Sequence, residues 1–374
     1  MTEPLTLYGV KISMFTGKTR SHLIKQGIAF QEVAPVTPHF QTVVIPQIGR
    51  RIIPVLEMPD GHIVQDTTDI IDYLETEGLA TSSVYPDGPL EKVLALILEL
   101  FGDEGLLRPA MHYRWNFTDR THGFISHGFT GWLGPDADMD TKAQSRKTME
   151  KFAGFLPALG VSPETIPEIE RSFAELMDIL NAHFERTPYF FGQAPNIGDY
   201  GMMCSLYAHL ARDPVPASRM KNRAPNLYRW TERMNQPHAD ISDMPYYKPA
   251  ANIPVTLKPL FQYIAKYFLP ELEMNISVLD SLPPGDAGSP ATINPKMAVL
   301  GFGRFKHGDT DISCAVRPIR FYMLQRVTDY FESCDAKSQK IILDYLEPLG
   351  LASLVTLKAK ARIDRKNHTE VWAG

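Results

Sequence analysis

Two hydroxyl side chains stand at the start of the first expected helix, in the segment ISMFTGKTRSHL at residues 12–23. Ser13 and Thr16 are separated by two residues, which is the spacing of the two cysteines in a C-x-x-C redox motif. Thiol–disulfide exchange needs a sulfur atom at the attacking position, and neither residue supplies one. The spacing therefore indicates a site at this turn, but not one that reacts through its own thiols.

A second pair of polar residues lies between the β-run HIVQ and the helical segment TTDIIDYLETEG. Thr67 occupies the expected N-cap position, where free backbone N–H groups and the positive end of the helix dipole attract a carboxylate. Asp66 supplies a negative charge for an ammonium group. The pair would bind the amino-acid end of a ligand, unless Thr67 only caps its helix.

Strand and helix patterns alternate over about residues 1–80 and would position both pairs. The runs LTLYGV and FQEVAPV predict strands on either side of a helix from about Lys18 to Gln26. IIPVLEMPDGHIVQD predicts two short strands joined by the turn PDG, and TTDIIDYLETEG predicts a helix that stops at Gly78. A β-α-β unit followed by a hairpin and a helix predicts one compact mixed sheet.

Helical periodicity dominates from residue 88 to about residue 245. One apolar stripe runs from Leu94 to Phe101, and a longer one runs from Ile166 to Phe184 in steps of three and four. Further helices are predicted at 196–212 and 225–235. The segment HGFISHGFTGWLGPD, between the two stripes, is rich in glycine and aromatic residues and is interpreted as a loop.

Beyond about residue 250 the pattern mixes helices and strands. A helix is predicted around 256–280, followed by the loop SLPPGDAGSPATINP. MAVLGFGRF and ISCAVRPI predict a hairpin, FYMLQRVTDYF and KSQKIILDYLEPLG predict two helices, and LVTLKAKARI predicts a closing strand. The fold class is therefore α+β with several domains, which we place at 1–80, 88–245 and 250–374.

The composition is that of a soluble globular protein with room for two or three domains. The chain has 374 residues, of which 44% are hydrophobic and 22% charged, and its net charge is −5. This charge argues against nucleic acid or an anionic membrane as a partner. The sequence shows neither a signal peptide nor a membrane-spanning stretch, so we expect a cytoplasmic protein. Cys204, Cys314 and Cys334 lack metal-ligand spacing, and we expect buried structural thiols and no metal site.

Four segments form an ordered set: LYGVKISMFTGKTR, IIPVLEMPDGHIVQDTTDIIDYLE, the capping box PNIGDY with Asn196 and Asp199, and APNLYRW. Together they strongly resemble the glutathione transferase superfamily over about residues 4–240. The resemblance implies a thioredoxin-like N-terminal domain that binds glutathione and an all-α domain that completes the pocket for a second substrate. Residues 250–374 lie outside it as a mixed helical and hairpin extension, either a lid over that pocket or a subunit contact.

The resemblance implies roles for both polar pairs. Ser13 matches the position where serine-type members stabilise the glutathione thiolate, since a hydrogen bond to sulfur favours the anion. Ile53, before an expected cis Pro54, matches the residue whose backbone pairs with the cysteinyl part of glutathione. Asp66 and Thr67 match the family's acidic-or-Gln plus Ser pair at the γ-glutamyl end, although Asp-Thr departs from the usual residues.

Further residues are candidates for the same tasks. Tyr8 is the alternative thiolate donor, because tyrosine-type members use a tyrosine near the end of the first strand, and Thr16 is a third candidate. Gln47, Arg50 and Arg51 lie in the loop where members often place a group for the glycyl carboxylate. Their charge favours one of the two arginines in this role.

The segment MHYRWNF in the helical domain is the candidate for binding the second substrate. His112, Tyr113 and Trp115, with Arg114 among them, combine apolar surfaces with polar tips and would select an aromatic or acidic electrophile if they face the cleft. The alternative is that they form an aromatic-rich helix end that packs beneath the loop FTGWLG.

The resemblance implies a glutathione transferase-like enzyme that uses glutathione as co-substrate and attacks an apolar or aromatic electrophile. It also implies a homodimer. The alternative is a non-enzymatic glutathione-binding or scaffold protein of the same fold. A glutathione-dependent thiol reductase is a third candidate, which the serine at position 13 disfavours because a mixed disulfide needs sulfur there.

Overall fold

A computed structural model describes residues 4–133, 139–249, 252–292 and 298–373, and of residues 118, 132 and 141 only the backbone. Parts of three predicted segments lie outside the described residues. These are the end of HGFISHGFTGWLGPD, the end of SLPPGDAGSPATINP and the start of MAVLGFGRF.

Four short strands near the N-terminus form one mixed sheet of order β2-β1-β3-β4. The first pair is parallel and the other two are antiparallel. This is the β-α-β unit plus hairpin that the sequence predicts. The elements are β1 (Leu5–Tyr8), α1 (Met14–Lys25), β2 (Phe30–Val33), α2 (Ile45–Ile48), β3 (Val55–Glu57), β4 (Ile63–Gln65) and α3 (Thr67–Thr76).

Helices cover both faces of this sheet. Successive side chains along β1 point to opposite faces, so they pack against different helices. Leu7 packs with Leu23 and Ile70, and Tyr8 packs with Phe40 on the opposite face. The helical turn Phe40–Val44, which continues into α2, was not predicted from the sequence. Its residues TVVI are β-branched and favour a strand locally, so packing against the sheet decides the outcome.

The central part of the chain is helical, as predicted. Close packing at its centre depends on glycine: a Cβ on Gly102 would lie 2.3 Å from the carbonyl carbon of Gly201. The helices are α4 (Pro89–Leu100), α5 (Leu107–Trp115), α6 (Thr118–Thr130), α7 (Met139–Ala153), α8 (Ile166–Phe184), α9 (Ile197–Ser205), α10 (Pro214–Arg223) and α11 (Pro225–Met234).

The prediction of a loop over HGFISHGFTGWLGPD is wrong for its described part, because α6 occupies most of it. The glycines lower helix propensity, but tertiary packing outweighs that cost. Ile125 of α6 is buried in a cluster with Ile12 and Trp115. Gly128 lets the helix approach closely, since a Cβ there would lie 2.3 Å from Ile12 Cδ1.

The extension contains helices and two hairpins. The helix predicted around 256–280 is broken at Phe268, where Pro270 starts a new helix. The closing strand predicted over LVTLKAKARI is wrong: a 3-10 helix spans Ala352–Thr356, and pairing begins only at Ile363. The elements are α12 (Lys258–Tyr267), α13 (Leu269–Ser281), β5 (Gly301–His307), β6 (Thr310–Val316), α14 (Pro318–Ser333), α15 (Ala336–Leu346), β7 (Ile363–Lys366) and β8 (Thr369–Trp372).

Buried ion pairs join the extension to the helical part. Arg108 of α5 lies 2.9 Å from Glu271 of α13. Arg320 of α14 lies 2.6 Å from the same carboxylate and 3.1 Å from Glu104. One apolar core also runs through both parts. The extension is therefore packed as an integral layer, since buried charges left without these partners would be costly.

None of the helices in the described ranges has the length and apolarity needed to cross a bilayer. The thiols of Cys204 and Cys314 are buried, whereas Cys334 is only partly buried and donates to the carbonyl oxygen of Tyr330. The expectation of burial thus holds fully for two of the three cysteines.

Candidate functional site

Ser13 is the N-cap residue of α1. Its Oγ accepts a hydrogen bond from the Thr16 backbone N–H at 3.3 Å, and the side chain is half-buried. Accepting this bond leaves the hydroxyl hydrogen to be donated, and the helix N-terminus adds partial positive charge beside it. The Thr16 side chain is completely buried under Gly9, where a Cβ would lie 2.2 Å from Thr16 Cγ2. The geometry therefore favours Ser13 over Thr16 as a donor to a ligand.

Tyr8, the alternative donor, is directed to another part of the domain. Its hydroxyl donates to Glu57 Oε2 at 2.7 Å, and its ring lies 5.1 Å from that of Phe40. Burial raises the pKa of Tyr8, and the hydrogen bond to Glu57 raises it further. The Tyr8 proton is thus held by a carboxylate on the sheet face that the Phe40–Val44 turn covers.

The peptide bond between Ile53 and Pro54 is cis, which confirms the sequence-based expectation. Pro54 is buried and directly precedes β3. Both residues line a cavity at the N-terminal end of α3.

The cap of α3 differs from the prediction. Asp66, not Thr67, is the N-cap residue: its backbone leaves helical geometry at φ 87°, and its Oδ1 accepts from the Thr68 N–H at 3.1 Å. Thr67 is the first helical residue and is 2% exposed. The carboxylate satisfies one amide of the helix N-terminus while remaining at the cavity wall.

We call the space beside this helix end the α3 cavity. It has a volume of about 220 Å³. Five residues proposed from the sequence for glutathione binding line it: Arg50, Ile53, Pro54, Asp66 and Thr67. Ser13 is not part of its lining, which reaches α1 at Phe15.

The three candidates for the glycyl carboxylate lie in different environments. Arg50 lines the α3 cavity and donates to Gln65 Oε1 at 2.7 Å. Gln47 and Arg51 are exposed and are not in the cavity lining. Arg50 is therefore the candidate that the geometry supports.

The extension supplies part of the cavity wall, through residues that sequence reasoning did not identify. Arg317 and Met323, at the start and within α14, line the cavity together with Glu370 of β8. Arg365 of β7 lies 3.4 Å from Asp66 Oδ1 and 2.9 Å from the neighbouring Asp69. The only signal in the sequence was the mixed charge of ARIDRKNHTEVW, which gives no position in space.

A buried charge cluster lies behind the cavity. The Lys18 ammonium of α1 lies 2.6 Å from Asp103 and 2.8 Å from Glu99, and it donates to Thr68 Oγ1 at 3.2 Å. Burial alone would lower the Lys18 pKa, but the two carboxylates outweigh it and the pKa is raised. Burial raises the pKa of Asp103, which lines the cavity. This cluster fixes the start of α3 against α4.

The residues proposed for the second substrate lie away from the α3 cavity. His112 Nε2 is 3.1 Å from Glu170, and the Tyr113 hydroxyl accepts from Arg219 at 2.9 Å. Burial lowers the pKa of His112 and raises that of Tyr113 to about 12. Trp115 packs in the cluster beneath α6. This arrangement matches the alternative interpretation, an aromatic helix end packed beneath the following segment.

Arg114 holds the first loop of the sheet domain against the helical part. Its guanidinium forms a two-pronged ion pair with Asp213 and donates to the carbonyl oxygen of Ile12 at 2.8 Å. It thereby anchors the residue that directly precedes Ser13.

A larger groove, of about 440 Å³, lies at the end of α8 and along α11. It is lined by Arg186, Arg229 and Tyr246, and Tyr246 is 93% exposed. None of the residues proposed from the sequence is in its lining. We therefore assign the functional site to the smaller α3 cavity, where independent sequence signals converge.

Comparison with protein families identifies both conserved domains of the chain. Residues 7–78 match the model of the glutathione S-transferase N-terminal domain, and residues 147–237 match that of the C-terminal domain. These two segments therefore carry the domains of the glutathione S-transferase family. This confirms the thioredoxin-like and all-helical domain types; the extension lies outside both matches. No curated protein sequence matches the chain.

Solved glutathione transferase structures are similar to the chain at low identity. GSTFuA3 from Phanerochaete chrysosporium is 16% identical, with 63% of this chain and 97% of that chain covered and a TM-score of 0.43. The β-etherase LigF from Sphingobium sp. strain SYK-6 is 18% identical, with 62% and 95% covered and a TM-score of 0.43. A transferase of Ceriporiopsis subvermispora, solved with glutathione, is 17% identical, with 63% and 99% covered and a TM-score of 0.37. Activity and substrate do not follow from similarity at this level.

Proposed function

We propose that this protein binds glutathione in the α3 cavity and activates its thiol for attack on an apolar or aromatic electrophile. The observation that carries the proposal is the convergence of Arg50, the cis Ile53–Pro54 pair, Asp66 and Thr67 on one cavity. These residues come from three short segments between residues 50 and 67, and each falls at a position that the resemblance assigns to glutathione binding.

Each end of glutathione has a group of suitable charge. The γ-glutamyl ammonium would pair with Asp66, and the γ-glutamyl carboxylate would lie at the N-terminus of α3, where the first amides and the helix dipole favour an anion. The glycyl carboxylate would pair with Arg50, which is already oriented by Gln65. The backbone of Ile53 would pair with the cysteinyl unit between them.

Ser13 would stabilise the thiolate. Its hydroxyl hydrogen remains available for donation, and the α1 N-terminus places partial positive charge beside the sulfur. Both effects lower the pKa of the bound thiol and increase the fraction of the nucleophilic thiolate at neutral pH. Phe15 and Met323 give the cavity an apolar side, which suits an apolar or aromatic electrophile.

The test is turnover on a panel of electrophiles with Ser13→Ala and Ser13→Asp. Both variants lack the hydrogen-bond donor, but aspartate still caps α1. We expect kcat/KM to fall about 10²–10³-fold in Ser13→Ala, as for the loss of one donor to a developing anion, and at least as far in Ser13→Asp, whose carboxylate also repels the thiolate. If Ser13→Asp retained wild-type turnover, Ser13 would be only a helix cap.

A glutathione-binding protein without turnover is the second candidate, and one observation favours it. Arg365 already engages Asp66, so each binding of glutathione, and hence each turnover, requires this ion pair to be broken. Saturable glutathione binding without turnover on the electrophile panel would support this candidate. A homodimeric state, implied by the resemblance, and a cytoplasmic location, expected from the sequence, remain predictions.

A further inference from the structure

The C-terminal hairpin ends in a charged tip that lies against the α3 cavity. Arg365 of β7 and Glu370 of β8 are paired across the hairpin, with 2.9 Å between their charged groups. The turn between the strands is Asn367-His368, with positive φ at both residues, as a tight two-residue hairpin requires. Arg365 and Glu370 are therefore held side by side on a short, regular support.

The two charges of the tip contact the residues assigned to the two ends of glutathione. The Arg365 guanidinium lies 3.4 Å from Asp66 and 2.9 Å from Asp69, and its side chain is 6% exposed. The Glu370 carboxylate lies 3.9 Å from Arg50. A cation thus lies where the γ-glutamyl ammonium would bind, and an anion where the glycyl carboxylate would bind.

The small volume of the α3 cavity is consistent with the hairpin tip occupying part of the space that glutathione would fill. Its volume is about 220 Å³, whereas small-molecule sites usually enclose about 300–1,000 Å³. Glu370 is part of the lining, so withdrawal of the hairpin tip would enlarge the cavity on that side.

We propose that the hairpin tip is a built-in competitor of glutathione, in which Arg365 and Glu370 occupy the charge positions of the two ends of the ligand. This inference rests on the proposed function. Binding of glutathione then requires the tip to leave Asp66 and Arg50, and the affinity of the site depends on the balance between the two sets of ion pairs. A partner that captures the tip would open the site.

The contacts of the hairpin separate a fixed base from a releasable tip. At the base, Ile363 and Trp372 are buried, and the backbone of Ile363 is bonded to the Gln325 side chain at both its N–H and its carbonyl oxygen. Trp372 pairs with the loop at Ser289. At the tip the side-chain contacts are the ion pairs and the Arg365 guanidinium 4.3 Å from the Tyr322 ring, and the Glu370 carbonyl oxygen accepts from the Ala291 N–H at 3.0 Å. The tip is therefore held mainly by ion pairs that a ligand carrying the same two charges can replace, whereas the base is held by buried apolar side chains.

The experiment compares glutathione binding by the full-length wild type, Arg365→Gln and Arg362→Gln. Arg362 is the matched control, because it makes the same type of ion pair three residues earlier, with Asp329 at 2.6 Å, away from the cavity. We expect Arg365→Gln to bind glutathione about tenfold more tightly and Arg362→Gln to bind like wild type. Hydrogen exchange of the wild-type protein supplies the second readout: amides of residues 364–370 should exchange faster when glutathione is bound.

The outcomes are distinguishable. Tighter binding by Arg365→Gln alone, with faster exchange at the tip, supports the competitor. Equal binding by all three proteins and unchanged or slower exchange at the tip overturns it and leaves the proposed function intact. No binding by any of the three at millimolar glutathione overturns both.

Discussion

The clearest prediction concerns the buried cluster of Lys18, Asp103 and Glu99, which stabilises the start of α3. Lys18→Met keeps the length and much of the volume of the side chain but removes the ammonium that lies 2.6 Å from Asp103 and 2.8 Å from Glu99. The three side chains are 0–5% exposed, so water cannot replace the lost partner. Breaking a buried ion pair from one side costs about 3–5 kcal/mol, because the remaining charge is left uncompensated.

The pH dependence follows from the same cluster. Burial raises the folded-state pKa of Asp103, while Lys18 opposes that rise. Without Lys18 the rise is larger, so the folded variant prefers the protonated carboxyl more strongly than the unfolded chain does. The additional loss of stability is therefore absent below the unfolded pKa of about 3.9 and grows as the pH rises through the folded pKa.

The assay is urea denaturation of the wild type and Lys18→Met at pH 5 and pH 8, with unfolding monitored by circular dichroism. Lys340→Met is the control, since its ammonium makes an exposed pair with Asp344 at 2.8 Å, and we expect a loss below about 0.5 kcal/mol. The reasoning is refuted if Lys18→Met costs less than about 1 kcal/mol at pH 8, or costs as much at pH 5 as at pH 8.

Three further predictions concern helix caps and close packing. Asp199→Ala should cost about 3 kcal/mol of unfolding free energy, because this buried carboxylate accepts from backbone and Trp230 donors; the exposed cap variant Asp335→Ala should cost about 1 kcal/mol. Burial raises the Asp199 pKa to about 7, so stability should fall between about pH 4 and pH 7 in wild type but not in Asp199→Asn; parallel slopes would contradict this. Gly9→Ala should destabilise the protein by about 1–3 kcal/mol through its clash with Thr16, whereas Gly123→Ala, with open space around it, should be neutral or stabilising in thermal melts.

Local patterns were sufficient for much of the fold. The apolar run LTLYGV predicts β1 and the helical stripe predicts α8, and both elements are where the sequence predicts them. The capping box of Asn196 and Asp199 is also present, with both reciprocal bonds. These signals are short-range, so they can be recognised within a few residues.

Other elements depend on distant partners and were missed for that reason. The glycine-containing α6 is stabilised by Ile12 and Trp115, and the Phe40–Val44 turn is stabilised by the sheet face of Tyr8. The hydrophobic periodicity of a segment carries no information about such distant contacts.

The residues of the candidate site also fall into two groups, those predicted from local motifs and those that depend on distant contacts. Ile53, Pro54 and Asp66 could be assigned from motif positions, and the structure brings them to one cavity. The contact of Arg365 with Asp66 could not be predicted from motif positions. The two residues lie near opposite ends of the chain, and the local sequence around one carries no information about the other.

The central claim is that glutathione binds in the α3 cavity, and calorimetric titration tests it most directly. Wild type, Asp66→Ala, Asp66→Asn and Thr67→Ala would be titrated with glutathione, with Asp335→Ala as a variant that loses a helix cap elsewhere. Asparagine preserves the cap of α3 but not its charge. We expect saturable binding by wild type and Asp335→Ala, and weaker binding by the three variants at positions 66 and 67. Absence of binding by wild type at millimolar glutathione, or equal affinity in all five proteins, would contradict the claim.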